Sequence, residues 1–186
     1  MSLHTFVVLV ENKPGVLTRV SSLIRRRGFN IESLTVGHTE TPGVSRMTIA
    51  VEADEFGARR IEANLYKLIE VLRVDNVTLR PSIFRELAIL KVKTSPETRA
   101  QMFQLAQVYR ARIIDVSPES LVVEITGNED KVNSLIEVLE PYGIVEMART
   151  GRLAMLRGTG TASKPPEEEQ DFGAAKAEED LISHSV

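Results

Sequence analysis

The sequence predicts an α+β protein built from two successive βαββαβ units, and two of its features lead to this prediction. Short β-branched and aromatic runs alternate with longer segments of helical periodicity. The order strand, helix, strand, strand, helix, strand occurs twice along the chain. The chain contains no cysteine, and it lacks an apolar run of about eighteen residues, so we expect neither disulfides nor a membrane span.

Changes in hydrophobic periodicity define the first unit. Residues 5–11 (TFVVLVE) are short, β-branched and aromatic, which predicts a strand. Apolar residues in 16–27 recur at helical spacing, and Gly28 is expected to end that helix. The other predicted elements are strands at 29–36, 44–51 and 71–79, and a helix beginning at Asp54 or Glu55 that buries Ile61, Leu65, Leu68 and Ile69.

The second unit repeats this order. Ser95 followed by Pro96 marks a helix start, because serine caps free N–H groups and proline is suited to the first turn. Asn128, with Glu129 and Asp130 after it, opens another helix. The first helix is expected to bury Met102, Phe103, Leu105 and Ala106, and the second Val132, Leu135, Ile136 and Leu139. Strands are predicted at 86–92, 112–116, 121–126 and 144–148, with a candidate strand at 153–156.

This order of elements is typical of the ferredoxin-like fold, in which two helices cover one face of a four-stranded antiparallel sheet. The predicted domains are residues 3–80 and 84–158. Strand residues 6–10 (FVVLV) are apolar on both sides, although one face of each sheet has no helices. We therefore expect another chain to cover sheet faces or edges.

Charge is distributed unevenly along the chain. The net charge is −3, but residues 159–186 hold two lysines and seven acidic residues, a net of −5, which leaves +2 for the remainder. A nearly neutral body gives no electrostatic reason to expect nucleic acid binding. Residues 159–186 are predicted to form a disordered acidic tail, either as a solubilising segment or with a short helix near 174–182 that docks on a partner.

No catalytic or metal-binding constellation is recognisable in the sequence. His4, His38 and His184 lack metal-ligand spacing, and His38 is expected to be solvated in a loop. The sequence has neither a phosphate-binding loop nor a nucleophile elbow. The third strand, 44–51, lacks the aromatic residues on which RNA-binding modules of this fold stack bases. We expect no catalysis, no metal site and no nucleic acid partner.

The basic cluster at residues 25–27 (RRR) has two interpretations. Cations near a helix C-terminus complement the helix dipole, which needs no partner. The same charges could instead bind an acidic partner surface. The sequence leaves both interpretations open.

The turn at residues 11–17 (ENKPGVL), between the first strand and the first helix, is the most informative segment. The first N–H groups of a helix have no partner within the helix, and the helix dipole attracts an anion to them. Gly15 leaves that backbone accessible. These features suit a carboxylate ligand, although a tight strand-to-helix turn would also require glycine.

This segment resembles the effector-binding turn of ACT domains, which bind amino acids between paired subunits. GFNIESLTV (28–36) and SRMTI (45–49) narrow the resemblance to the small subunit of acetohydroxyacid synthase, also called acetolactate synthase. RELAILKV (85–92), IIDVSPESL (113–121) and LEPYGI (139–144) agree with it. The resemblance covers residues 3–158 and implies an ACT domain followed by an ACT-like C-terminal domain.

The resemblance implies a non-catalytic regulatory subunit in the cytoplasm. Its partner would be a large subunit that holds thiamine diphosphate, Mg²⁺ and FAD, none of which is expected in this chain. That subunit condenses two pyruvates, or pyruvate with 2-oxobutyrate, in branched-chain amino acid biosynthesis. The small subunit activates it and makes it inhibitable by valine, often also by leucine or isoleucine. The alternative is a free-standing ACT sensor that acts on a transcription or transport partner.

The resemblance also implies a binding site shared by a homodimer of ACT domains. One chain would supply Asn12, Gly15, Val16 and Leu17, and its neighbour Asn30 and Ile31. The backbone N–H groups at 15–17 would hold the effector carboxylate. The asparagine side-chain oxygens could accept hydrogen bonds from its ammonium group, which no aliphatic residue can do.

Overall fold

A computed structural model describes residues 1–158, which form two ferredoxin-like units, so the predicted fold class is confirmed. The first unit comprises β1 (Ser2–Glu11), α1 (Val16–Arg26), β2 (Ile31–His38), β3 (Val44–Ala53), α2 (Glu55–Leu65) and β4 (Val71–Asn76). The second comprises β5 (Ser82–Lys93), α3 (Pro96–Val108), β6 (Arg112–Val116), β7 (Ser120–Gly127), α4 (Glu129–Leu139), β8 (Ile144–Arg149) and β9 (Leu153–Leu156). The predicted acidic tail lies outside the described residues.

Both sheets are antiparallel and share one topology. The strand order is β2-β3-β1-β4 in the first sheet and β6-β7-β5-β8 in the second, so the first strand of each unit is central. The candidate strand at 153–156 is confirmed as β9, which pairs with the start of β5. None of the helices within residues 1–158 is long and apolar enough to span a membrane.

Local capping explains where three of the helices begin. The Asp54 side chain accepts from the Gly57 N–H at 2.6 Å. Ser95 and Thr98 form a reciprocal capping box at the start of α3, and the Asn128 side chain accepts from the Lys131 N–H at 3.3 Å. The predicted caps Ser95 and Asn128 are therefore confirmed, whereas no side chain within residues 1–158 caps the start of α1.

Two residues predicted to face the core do not do so. Ile69 is 90% exposed, because α2 ends at Leu65 and the helical spacing does not extend to Ile69. Phe103 is 41% exposed, because α3 packs through Met102 and Ala106, and each step along a helix turns the side chain by about 100°. Sequence periodicity was misleading here because α3 is only weakly amphipathic.

Several strand boundaries differ from the prediction; β1, for example, starts at Ser2 and not at residue 5. β2 starts at Ile31 and extends to His38, so His38 ends a strand and does not lie in a loop. β4 ends at Asn76, whose side chain accepts from the Thr78 N–H at 3.1 Å and starts a turn. β5 begins at Ser82, before the expected 86, because its first residues pair with β9. The domain boundaries themselves, 80 and 84, stay a prediction.

The helix-free face of the first sheet is covered by the same chain. Phe6, Val8 and Val10 of β1 face the helices, whereas Val7 faces the other way and is fully buried. The side chains that pack with Val7 are Phe84, Val77, Ala154 and Leu156. The expectation that another chain covers this face is therefore wrong, since the paired strands β9 and the start of β5 cover it. The alternative, that another chain pairs with a sheet edge, stays a prediction. The second sheet differs: a groove of about 240 Å³ remains open on its helix-free face, lined by Ile89, Lys91, Val122, Glu146 and Ala148.

A matched pair of truncations tests the assignment of the second core. Leu135 is fully buried among the residues of that core, so Leu135→Ala is expected to cost about 2–5 kcal/mol of unfolding free energy. Phe103→Ala removes a larger but half-exposed side chain and is expected to cost about 1 kcal/mol or less. Urea unfolding of both variants measures the difference, and equal losses would contradict the observed orientation of α3.

Candidate effector site

The turn after β1 leaves the start of α1 open. Gly15 adopts the left-handed conformation, with φ 84° and ψ −9°, which glycine reaches without strain. Within the described part of the chain, no side chain caps α1 and no acceptor is found for the N–H groups of Leu17 and Thr18. The Val16 N–H, predicted as a donor to the effector, donates to the Lys13 carbonyl at 3.4 Å instead. Val16 is buried, while Leu17 is 43% exposed beside these free donors. The helix start can therefore bind an anion.

Arg19 adds a positive charge to this helix start. Its Nη1 lies 3.3 Å from the position that a Cβ on Gly15 would occupy. Its Nη2 forms an ion pair with Oε1 of Glu70 at 2.8 Å, which holds the guanidinium in place. Arg19 was not among the site residues predicted from the sequence. The signal for it was its position four residues after Gly15, one helical turn further along the same face.

Asn12 is positioned by two contacts. Its backbone N–H donates to the Gly43 carbonyl at 2.7 Å. Its side-chain Nδ2 lies 3.5 Å from Nδ1 of His38, which can accept when that nitrogen carries no proton. The side-chain oxygen of Asn12 is then left as an acceptor for an ammonium group. His38 is a further residue that sequence reasoning did not assign to the site.

Asn30 has a similar arrangement at the start of β2. Its Nδ2 donates to Oε1 of Glu32 at 2.5 Å, so its side-chain oxygen is also left as an acceptor. Ile31 is the first residue of β2 and packs against the edge of the first core. Glu32, which orients Asn30 from within β2, is a further residue that sequence reasoning did not assign to the site.

The six predicted residues form two groups within one chain. We call Asn12 and residues 15–17 the turn half-site, and residues 30–31 the strand half-site. On β3, Glu11 pairs with Val44, whereas Ile31 pairs with Val51. These positions are seven residues apart, which is about 23 Å along a strand. The structure therefore brings the turn half-site together but places the strand half-site at the other end of the sheet.

The strand half-site lies on an edge strand. β2 pairs only with β3 among the strands of residues 1–158, so its outer backbone groups are unpaired. Elsewhere in these residues, no cluster of three or more potential metal-ligating side chains is found. Arg25 and Arg26 lie in the last turn of α1, where their charges complement the helix dipole.

Comparison with known proteins identifies both units. Residues 6–73 match the family described as the AHAS small subunit-like ACT domain, and residues 85–158 match the family described as the small subunit of acetolactate synthase. A probable acetolactate synthase small subunit of Archaeoglobus fulgidus is 53% identical over 155 residues, which are 83% of this chain and 97% of the relative. The chain belongs to the family of acetolactate synthase small subunits.

Other acetolactate synthase small subunits agree in sequence and fold. The small subunit of Mycobacterium bovis is 50% identical over 155 residues, covering 83% of this chain and 92% of that protein. The crystal structure of the small subunit from Thermotoga maritima is 42% identical, with a TM-score of 0.80. The match covers 86% of this chain and 100% of that one. The resemblance derived from the sequence motifs is therefore confirmed, as is the assignment of the first unit as an ACT domain.

Proposed function

We propose that this chain is the non-catalytic regulatory subunit of an acetolactate synthase and binds valine between two ACT domains. It activates a cytoplasmic large subunit, which holds thiamine diphosphate, Mg²⁺ and FAD, and it transmits inhibition by valine. One observation carries the proposal: an uncapped helix start with an adjacent asparagine lies at one end of the first sheet, and a second asparagine lies at the other end, on an open edge strand.

Pairing of two β2 strands would unite the two half-sites. In an antiparallel pair related by a twofold axis near Leu34 and Thr35, Ile31 of one chain lies opposite His38 of the other. Because His38 contacts Asn12, this pairing brings the strand half-site of one chain next to the turn half-site of its partner. It also satisfies the unpaired backbone groups of an edge strand, which otherwise favour uncontrolled association.

The united site matches each group of an amino acid zwitterion. The free N–H groups of Leu17 and Thr18, with Arg19 beside them, bind the carboxylate. The side-chain oxygens of Asn12 and Asn30 accept from the ammonium group. The exposed Leu17 and the partly buried Ile31 contact a branched aliphatic side chain, whose burial contributes about 1.5–3 kcal/mol. One extra methylene changes the binding free energy by only about 1–3 kcal/mol, so the site is expected to discriminate weakly between valine and leucine or isoleucine. A polar amino acid is expected to be excluded more strongly.

The proposed regulation is a linkage between two binding equilibria. Valine stabilises the twofold arrangement of ACT domains in which the turn half-site of one chain and the strand half-site of the other both contact it. If that arrangement binds the large subunit in a less active state, valine inhibits the holoenzyme by the corresponding coupling free energy, typically about 1–3 kcal/mol. A chain that binds valine but no large subunit would instead support the free-standing sensor.

Mixing two defective variants tests whether the site is shared. Gly15→Asp damages the turn half-site, and Asn30→Ala damages the strand half-site, so each variant alone is expected to bind no valine in calorimetry. A heterodimer of the two has one site with both halves intact and one with both damaged. Unfolding and refolding an equimolar mixture should therefore restore about a quarter of the wild-type binding stoichiometry, since half of randomly formed dimers are mixed.

Two results would contradict this proposal. Zero recovered stoichiometry, with mixed dimers demonstrated by differently tagged chains, would show that each site comes from one chain. Undiminished binding by either variant alone would remove its half-site from the proposal. Refolded wild-type chain serves as the control and should recover its full stoichiometry.

A further inference from the structure

The segment that joins β8 to β9 lies directly against β2. The Arg152 N–H donates to Oγ of Ser33 at 2.7 Å, and Oγ1 of Thr35 donates to the Arg152 carbonyl at 3.2 Å. A Cβ on Gly151 would lie 2.5 Å from Oγ of Ser33 and 2.8 Å from Oγ1 of Thr35. Residue 151 therefore has no room for a side chain, and the backbone of the second unit touches β2 without intervening atoms.

The Arg152 side chain is held in the second unit by ion pairs, so residue 152 joins that unit to β2. Its guanidinium pairs with Glu129 at the start of α4 and lies 3.9 Å from the carboxylate of Glu86. Glu86 is only 6% exposed and also pairs with Arg149. The same guanidinium donates to Oγ1 of Thr5 in β1 at 3.4 Å. Largely buried charges with several partners tolerate little displacement, because a displaced charge would lose the ion pairs that offset its desolvation.

The strand half-site lies on the same strand as this contact. Asn30 is three residues before Ser33, which is about 10 Å along a strand. The pairing of β2 with β3 shifts register between Ile31 and Ser33, so a β-bulge at Glu32 separates the half-site from the contact. Glu32 binds Asn30 and lines a cleft of about 400 Å³ together with Arg149 and Arg152. The strand half-site is therefore connected to the second unit both by the backbone of β2 and by the residues that line this cleft.

We propose that Gly151 and Arg152 are positioning residues that transmit valine binding from β2 to the second unit, an inference that rests on the function proposed above. When β2 moves to close on an effector, residues 150–152 must either follow it or lose both hydrogen bonds. Closely packed contacts shift between discrete arrangements and do not deform continuously. The second unit therefore moves with β2 and changes how the large subunit is held.

Gly151→Ala tests this coupling in the full-length chain reconstituted with its large subunit. The added methyl group forces β2 and residue 151 apart, whereas the valine contacts themselves are untouched. We expect the isolated variant to bind valine within about threefold of the wild-type affinity. Activation of the large subunit without valine should be retained, while the inhibition factor at saturating valine falls by about fivefold or more.

Gly158→Ala is the matched control, because Gly158 lies beyond β9, outside β2 and both half-sites, and no atom of residues 1–158 lies within 4 Å of its added Cβ. It should bind valine and inhibit as the wild type does. Ser33→Ala removes the acceptor of the Arg152 N–H without adding bulk, so it should also weaken inhibition by valine. It provides the test if Gly151→Ala fails to fold.

The outcomes separate the coupling from the function on which it rests. If wild-type chain binds valine and both Gly151→Ala and Ser33→Ala retain full inhibition, the coupling through residues 151–152 is wrong and the proposed function stands. If both variants lose valine binding in the isolated chain, the contact only supports the site, and the coupling is again wrong. If wild-type chain does not bind valine, the proposed function fails first and the coupling fails with it.

Discussion

Gly15→Asp is expected to abolish the response to valine while leaving activation of the large subunit intact. Aspartate tolerates the left-handed conformation of residue 15 better than most residues do, so the fold should persist. Its carboxylate would lie beside Nη1 of Arg19, 3.3 Å from the new Cβ, and beside the free N–H groups of α1. It would thus take the place of the effector carboxylate and repel it. We expect affinity to fall by at least about 100-fold, which corresponds to about 2.7 kcal/mol.

Calorimetric titration of valine, with and without the large subunit, measures this loss. Gly158→Asp is the matched control, because Gly158 also has a positive φ, of 70°, with no atom of residues 1–158 within 4 Å of an added Cβ, and it belongs to neither half-site. That variant should bind valine normally. A valine affinity of Gly15→Asp within about threefold of the wild type would show that the carboxylate is not bound at the start of α1.

Glu86→Ala is expected to cause the largest loss of stability, about 3–5 kcal/mol. Glu86 is buried on β5, at the point where this strand begins to pair with β7. Its Oε2 accepts from Nε of Arg149 at 2.7 Å. Removing it leaves the mostly buried guanidinium group of Arg152 and the partly exposed one of Arg149 without their shared anion. Thermal unfolding should show a midpoint lower by about 10 °C for a chain of this size.

Glu124→Ala provides the comparison for this loss. Glu124 pairs with Arg112 at 3.5 Å in the same unit, but the Arg112 side chain is 79% exposed, so water screens the pair. Its removal should cost less than about 0.5 kcal/mol. Glu86→Gln, which retains a hydrogen-bonding oxygen, should be intermediate. A loss below about 1 kcal/mol for Glu86→Ala would mean that solvent reaches these guanidinium groups and replaces the carboxylate.

The elements that were predicted correctly are those whose determinants are local. Ser95 and Asn128 mark helix starts through contacts with residues three positions further on, so the sequence alone suffices to find them. The early start of β5 could not be found in this way, since it depends on pairing with β9 about seventy residues later in the chain. Ile69 was misassigned for a related reason, because nothing local fixed the end of α2.

The candidate site likewise contains residues that the local sequence reveals and residues that only the folded chain brings together. Asn12 and Gly15 are recognisable because a single turn contains them both. Arg19 joins them from the next helical turn, a local signal that sequence reasoning overlooked, whereas His38 joins them only through a tertiary contact from the end of β2. Gly151 offered no signal at all, since the strand residue that it touches, Ser33, is more than a hundred positions away in the chain.

Closure of the first sheet by β9 has a consequence for biosynthesis. Arg152, next to β9, contacts Thr5 of β1 across a separation of 147 residues. A nascent chain therefore exposes the apolar surface around Val7 until residues 153–156 have left the ribosome, long after the helices of the first unit can form. The amino-terminal half is not a self-sufficient module during synthesis, and its release as a fragment would leave a hydrophobic surface available for aggregation.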